Sequence, residues 1–188
     1  LEAGMIDPRE IREHIVRPAL KAISLWSDVA EELVMMTGMI ESNYSHIVQV
    51  RGPAKGLWQM EPRTHDDIWD NYLTYQPDLR HRLYKIMLVQ PPALDPNRGA
   101  EELVYNLQYA AAMCRIHYWR IPAALPDPTV LSLAEYWKHY YNTILGKGKI
   151  KDFQSRGKRM WTLEQIPYSK ANDWKSNHHN FGSQAKDF

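Results

Sequence analysis

The chain predicts an all-α fold, or an α+β one with minimal β, on three observations. Helix-start signals recur along it, apolar residues repeat at spacings of three and four, and no alternating runs or internal repeats suggest paired strands. At 188 residues it is long enough for a single domain with a proper core. That domain is expected to span residues 1–188, with its core over about 7–160 and an irregular tail over about 161–188.

Asp7-Pro8-Arg9-Glu10 opens the first helix with a capping Asp, Pro in the first turn and Glu three residues after the cap. Ile11, Ile15, Ala19, Leu20 and Ile23 form its apolar stripe, and Pro18 predicts a kink or break within it. Asp28-Val29-Ala30-Glu31 reads as a second cap. Val29, Leu33, Met36 and Ile40 then recur at helical spacing, which puts Glu41 in the last turn beside Val34, Thr37 and Gly38. Those small residues are expected to leave room over the carboxylate.

Thr64-His65-Asp66-Asp67 predicts a third helix start and Pro77-Asp78 a fourth, while Pro91-Pro92 and Asp95-Pro96-Asn97 mark a loop. The longest helix is expected from about Ala100 to Trp119. After Pro122, Pro126 and Pro128, another runs from about Val130 to Asn142 and ends by Gly146 and Gly148. One more is predicted over Ile150 to Met160, and beyond Pro167 the chain turns polar and irregular.

Seven Trp and eleven Tyr against three Phe favour flat rings with a polar edge, suited to cores that open into grooves. A net charge of +1 provides no global field for nucleic acid or a membrane surface. Lys147, Lys149, Lys151, Arg156, Lys158 and Arg159 form a local basic run, a solvated surface or a contact for an anionic polymer. The lone Cys114, among Ala110, Ala111 and Ile116, is expected to be buried and makes no internal disulfide. No apolar run is long enough to span a bilayer, and no signal peptide is visible. Leu1-Glu2-Ala3-Gly4 before Met5 reads as a cloning remnant, so a trimmed export signal stays open. The eight His show no metal-ligand spacing: Glu135 and His139 share a helix face without a third ligand, so neither metal nor cofactor is expected.

The strongest chemical signal lies between Glu41 and Thr64. Glu41-Ser42-Asn43 ends an apolar helical run, a polar loop follows, and Gly56-Leu57-Trp58-Gln59 precedes Pro62-x-Thr64. This resembles the catalytic segment of the lytic transglycosylases and their soluble lysozyme-like relatives. Their pattern is Glu-Ser-Gly, a loop, Gly-Leu-Met-Gln and Pro-x-Thr, and the Glu-to-Gln spacing agrees without a gap. Tyr140-Tyr141-Asn142 resembles the family's later Ala-Tyr-Asn-Ala-Gly element at Tyr141 and Asn142.

The resemblance implies a lysozyme-like helical domain with a substrate groove, cleaving the MurNAc–GlcNAc bonds of peptidoglycan glycan strands. Glu41 would be the general acid, its pKa raised by burial and by the negative end of its helix, with Val34, Trp58 and Met60 excluding water. Ser42, Gln59, Tyr141 and Asn142 would bind sugar. Trp58, where the family has Met, would either line the cleft or pack behind Glu41. Gly56 would let the backbone pass close to the helix that carries the acid. The family's route has Glu41 act first as acid and then as base while the sugar's 6-hydroxyl closes a 1,6-anhydro ring.

Besides Trp58, the chain departs from the pattern at Asn43, which replaces a glycine, at Val50, which replaces a serine that contacts the N-acetyl group, and at Tyr140, Thr143 and Ile144, which stand where the family has Ala, Ala and Gly. Two rival readings follow. A hydrolytic muramidase would need a second carboxylate, for which Glu61, Asp66 and Asp67 are nearest in sequence. An inactive lysozyme-like module would serve wall binding or virion assembly. The reading fits a phage-encoded or virion-carried lysin, or a domain of a longer envelope protein. It leaves the compartment open, beyond action at the bacterial wall, and allows virion or envelope partners.

Overall fold

Asp7 caps α1 (Pro8–Ile11), its carboxylate accepting the Arg9 N–H at 3.0 Å. In the computed structural model, which describes residues 4–89, 99–142 and 148–165, this helix changes character rather than stopping. It widens into a π-helical stretch, Arg12–Val16, and closes as α2 (Arg17–Ala22). Pro18 has no N–H, and its ring presses on the carbonyl four residues back, that of His14. The wider turn falls there, and the His14 carbonyl accepts instead from Gln108 Nε2 at 3.2 Å. The break expected at Pro18 is thus a change of helix type.

Ser27, rather than Asp28, caps α3 (Asp28–Ser42), its hydroxyl accepting the Ala30 N–H at 3.2 Å. Asp28 and Glu31 lie in the first turn, where carboxylates complement the positive end of the helix. The helix α4 (Pro62–Asn71) starts at Pro62, before the expected Thr64, because Pro suits a first-turn position whose N–H would have no partner. A 3-10 turn, Leu73–Tyr75, leads into α5 (Pro77–Tyr84).

The long helix expected from Ala100 to Trp119 is two helices, α6 (Glu102–Tyr105) and α7 (Leu107–Trp119). Asn106 divides them: its Oδ1 caps α7 by accepting the Tyr109 N–H at 3.0 Å, while its Nδ2 donates to the Ile86 carbonyl and to Glu102. Thr129 caps α8 (Val130–Tyr140), and α9 (Ile150–Gln165), at 16 residues, is longer than α7 at 13 and extends past the expected end at Met160. The loop around Pro91-Pro92 and Asp95-Pro96-Asn97, Gly146 and the tail after Pro167 lie outside the described residues.

Among the described residues there is no strand, only two isolated antiparallel bridges, Val48 with Lys55 and Lys55 with Met60. The architecture is mainly helical, with α3 at its centre. The π stretch, α7, α8 and α9 all pack on α3, and α4 rests on α7. Leu33, Val34, Met35, Met36 and Met39 are buried along α3, and Cys114 is buried on α7. Gly157 lets α9 approach closely, since a Cβ there would stand 3.1 Å from both the Met36 sulfur and its methyl. At the N-terminal end of α3, Glu31 accepts hydrogen bonds from Arg12, Arg17 and the Trp26 indole, and Arg12 also grips Glu164 of α9. No helix among the described residues is long and apolar enough to cross a membrane.

Candidate active site

The C-terminal turn of α3 delivers Glu41 to a place where cavities of about 450, 630 and 370 Å³ meet around one carboxyl group. The helix stops there because Asn43 takes a left-handed conformation (φ 52°), followed by Tyr44 (φ 50°). Asn tolerates this region better than other side chains, which accounts for Asn standing where the family pattern has glycine. Tyr44 is a costlier occupant. Its fully buried ring covers Gly38, where an added Cβ would lie 2.5 Å from the ring. The space expected over Glu41 from Gly38 is therefore filled by Tyr44. Thr37 is likewise used in the core, its hydroxyl 2.8 Å from that of Tyr118.

What surrounds the Glu41 carboxyl comes from α8 and α9. The Trp137 indole donates to Oε1 at 3.0 Å, and Trp137 is itself pressed against the backbone at Gly148, where a Cβ would stand 2.4 Å from the ring. Arg156 donates to the carbonyls of Ile40 at 2.9 Å and Met39 at 3.3 Å, capping the end of α3. Burial pushes the Glu41 pKa up to about 7, against the opposing effects of the Trp137 hydrogen bond and the Arg156 charge. At neutral pH the group is close to half protonated, able to give up a proton and to take one back.

Gln59 faces the same cleft from the loop after α3. Its backbone is left-handed (φ 48°), and its Nε2 donates to the Gly56 carbonyl at 2.7 Å, which fixes the amide at the wall of the 630 Å³ cavity. Gly56 serves a different neighbour from the one expected. Its φ is +73°, and a Cβ there would lie 2.5 Å from the Leu103 carbonyl, so the close approach is to α6 and not to α3. Trp58 is 1% exposed, with its indole donating to the Val34 carbonyl at 2.8 Å. It packs in the core against Val34 of α3 and is not among the residues that line the cleft. The Ser42 hydroxyl is spent within the turn, donating to the Gly38 carbonyl and accepting the Tyr44 N–H at 3.1 Å. Val50 is 73% exposed on the loop.

The end of α8 brings in Tyr141 and Asn142, both of which line the cleft with Glu41 and Gln59. Tyr141 donates its hydroxyl to the Trp58 carbonyl at 2.7 Å, tying this end to the loop that carries Gln59. His117 stands edge-on to the Tyr141 ring at 5.0 Å and lies 3.0 Å from the Tyr140 carbonyl through Nε2. Burial holds the His117 pKa down to about 4, so the ring is neutral and the carbonyl contact assigns its proton to Nε2. Asn142 Oδ1 accepts from Lys138 at 2.8 Å.

Four residues of this site had no place in the sequence pattern: Trp137, His117, Arg156 and Asp152, the last sharing a cavity with Glu41. Only Arg156 carried a signal, as part of the basic run. Of the sequence-adjacent carboxylates, Asp66 bonds His65 at 2.9 Å and Asp67 bonds Asn71 and Arg120; neither carboxylate lines the cleft, although Arg120 does. Glu61 lines the cleft but pairs with Arg63 at 2.6 Å. Among the described residues no group of three or more His, Cys, Asp or Glu could hold a metal ion.

Compared with protein families, with curated proteins and with solved structures, the chain matches none. The likeness to the transglycosylases rests on the residues themselves.

Proposed function

We propose that this chain is a peptidoglycan lytic transglycosylase, with Glu41 as its acid and base. The observation that carries the reading is the Glu41 carboxyl, held near pKa 7 where three cavities meet. Breaking a glycosidic bond requires a proton on the bridging oxygen as positive charge develops at the sugar carbon. A carboxyl with its ordinary pKa would hold little of that proton at neutral pH; one near 7 holds about half and remains basic enough to recover it. Gln59 and Asn142, both in the lining of this cleft, supply amides that can accept from and donate to sugar hydroxyls.

In the proposed sequence Glu41 protonates the leaving oxygen. The substrate's N-acetyl group supports the developing cation. Glu41 then removes the proton of the 6-hydroxyl, which closes the 1,6-anhydro ring. No second protein carboxylate is needed.

One observation favours a second reading, a hydrolytic muramidase. Asp152 lines a cavity with Glu41 and has no ion pair within 4.0 Å among the described residues, as a base activating water would require. Mass spectrometry of digested wall separates the two. Anhydro-muramoyl ends support the transglycosylase; reducing ends abolished by Asp152→Asn support the hydrolase; absence of products defeats both.

A further inference from the structure

Of the cavities that meet at Glu41, the one of about 370 Å³ has a character of its own. Arg156 and Arg159 of α9 line it together with Ser45 and His46 of the loop after α3, and no carboxylate other than Glu41 is among its lining residues. A guanidinium recognises a carboxylate best through the two parallel N–H groups on its Nε–Nη2 edge. Arg156 is prepared for that. Its Nη1 is spent on the carbonyls of Ile40 and Met39, which fixes the plane of the group. Nε and Nη2 take no acceptor among the described residues, and no carboxylate lies within 4.0 Å of the group. Asp152, one turn earlier on α9, shares the adjoining cavity with Arg156, yet it makes no ion pair with it within 4.0 Å and is absent from the lining of this one.

We propose that this cavity binds a free carboxylate of the substrate through Arg156, with Arg159 adding charge, so that the chain acts on glycan whose muramic acid still carries an acidic substituent. This rests on the reading of the chain as a glycan-cleaving enzyme. Two carboxylates fit the chemistry: those of the stem peptide, and that of the bare lactyl group left when the peptide has been removed.

The test is binding to the Glu41→Gln protein, which leaves the ligand uncut. Three probes are titrated by calorimetry: the disaccharide bearing its tetrapeptide, the same molecule with its carboxyls converted to methylamides, and the disaccharide with a bare lactyl group. Blocking the carboxyls is expected to weaken binding at least about tenfold, as the loss of a charged fork requires. Adding Arg156→Lys, which keeps the charge and loses the fork, is expected to bring the ratio of blocked to free below about threefold. If that double variant melts early, Arg159→Gln serves in its place and is expected to halve the ratio or better.

A bare-lactyl probe that binds as well as the peptide probe assigns the site to the lactyl group; one that binds as weakly as the blocked probe assigns it to the stem. Equal affinities for blocked and free ligands overturn the proposal. So does a ratio that neither arginine substitution changes. Turnover by the unmutated protein is scored separately on intact wall, so failure to cut glycan sinks the enzyme reading while the binding ratio still decides the site.

Discussion

Glu31 and Glu41 sit on one helix and show what burial does to a carboxyl when its partners differ. Glu31, 3% exposed, lies in the first turn of α3; burial alone would raise its pKa, yet hydrogen bonds from Arg17, Trp26 and Arg12 outweigh that and hold it at about 2. Glu41 lies in the last turn, where helix carbonyls disfavour an anion. It has one indole donor, as Glu31 does, but the nearby Arg156 spends Nη1 on backbone carbonyls rather than on the carboxyl. Its pKa rises to about 7. The lesson is that two guanidiniums in direct contact reverse the sign of the burial effect, and a guanidinium held one step away does not.

The largest expected effect breaks the functional half of this comparison. Glu41→Gln keeps the shape and removes the proton, so release of muropeptides should fall by about a hundredfold to ten-thousandfold. A variant that keeps half the turnover would remove Glu41 from the mechanism. At the other end, Glu31→Gln leaves Arg17 and part of Arg12 without their buried counter-charge. The loss of unfolding free energy in urea at pH 7 should reach about 3 kcal/mol, the lower end for such pairs, because Arg12 keeps Glu32 and Glu164. A loss below about 1 kcal/mol would show that the network is solvent-compensated.

The pH dependence of stability should run in opposite directions for the two groups. Glu31, depressed when folded, contributes stability that is complete above its ordinary value of 4.5 and is lost as pH falls toward about 2, up to about 3 kcal/mol. Glu41, raised when folded, holds a proton that the unfolded chain releases, so stability declines as pH climbs from 4.5 through about 7. Glu41→Gln should therefore be more stable than the parent by up to about 3 kcal/mol at pH 9 and about equal to it at pH 4. Equal melting curves at both pH values would contradict a raised pKa. The smallest effect sharpens the site itself. Trp137→Phe removes the hydrogen bond that favours the Glu41 anion and should move the alkaline limb of the pH–rate profile upward by less than about one unit, roughly 1 kcal/mol. A downward shift would reverse the assigned role of the indole.

The sequence made the helices legible where caps and prolines mark them, as at Asp7, Pro77 and Pro128, and it made Glu41, Gln59, Tyr141 and Asn142 legible through their resemblance to the transglycosylase motifs. The structure gathers those four around one cleft. The division at Asn106 was hidden because the apolar period runs straight through it, although a mid-helix Asn is itself a capping signal. Trp137 was hidden for another reason. Its bond to Glu41 joins residues 96 apart in the chain, and no periodicity on either helix announces it. Trp58 illustrates the converse: a motif position can be recognisable in sequence and still be a packing position, here 1% exposed.

The π-helical stretch has a consequence for register. Arg12 and Arg17 are five residues apart, and on an ordinary α-helix, at about 100° per residue, they would point roughly 140° away from each other. Across Arg12–Val16 the Arg17 N–H instead bonds the Arg12 carbonyl, which stacks residues five apart. Both guanidiniums consequently reach one carboxylate, at 2.9 Å and 2.8 Å from the same oxygen of Glu31. Deleting a single residue from this stretch would restore the ordinary pitch and swing one arginine off the clamp. The N-terminal helix therefore acts as a phase-setting element, whose length is constrained to the residue even though it never touches the cleft.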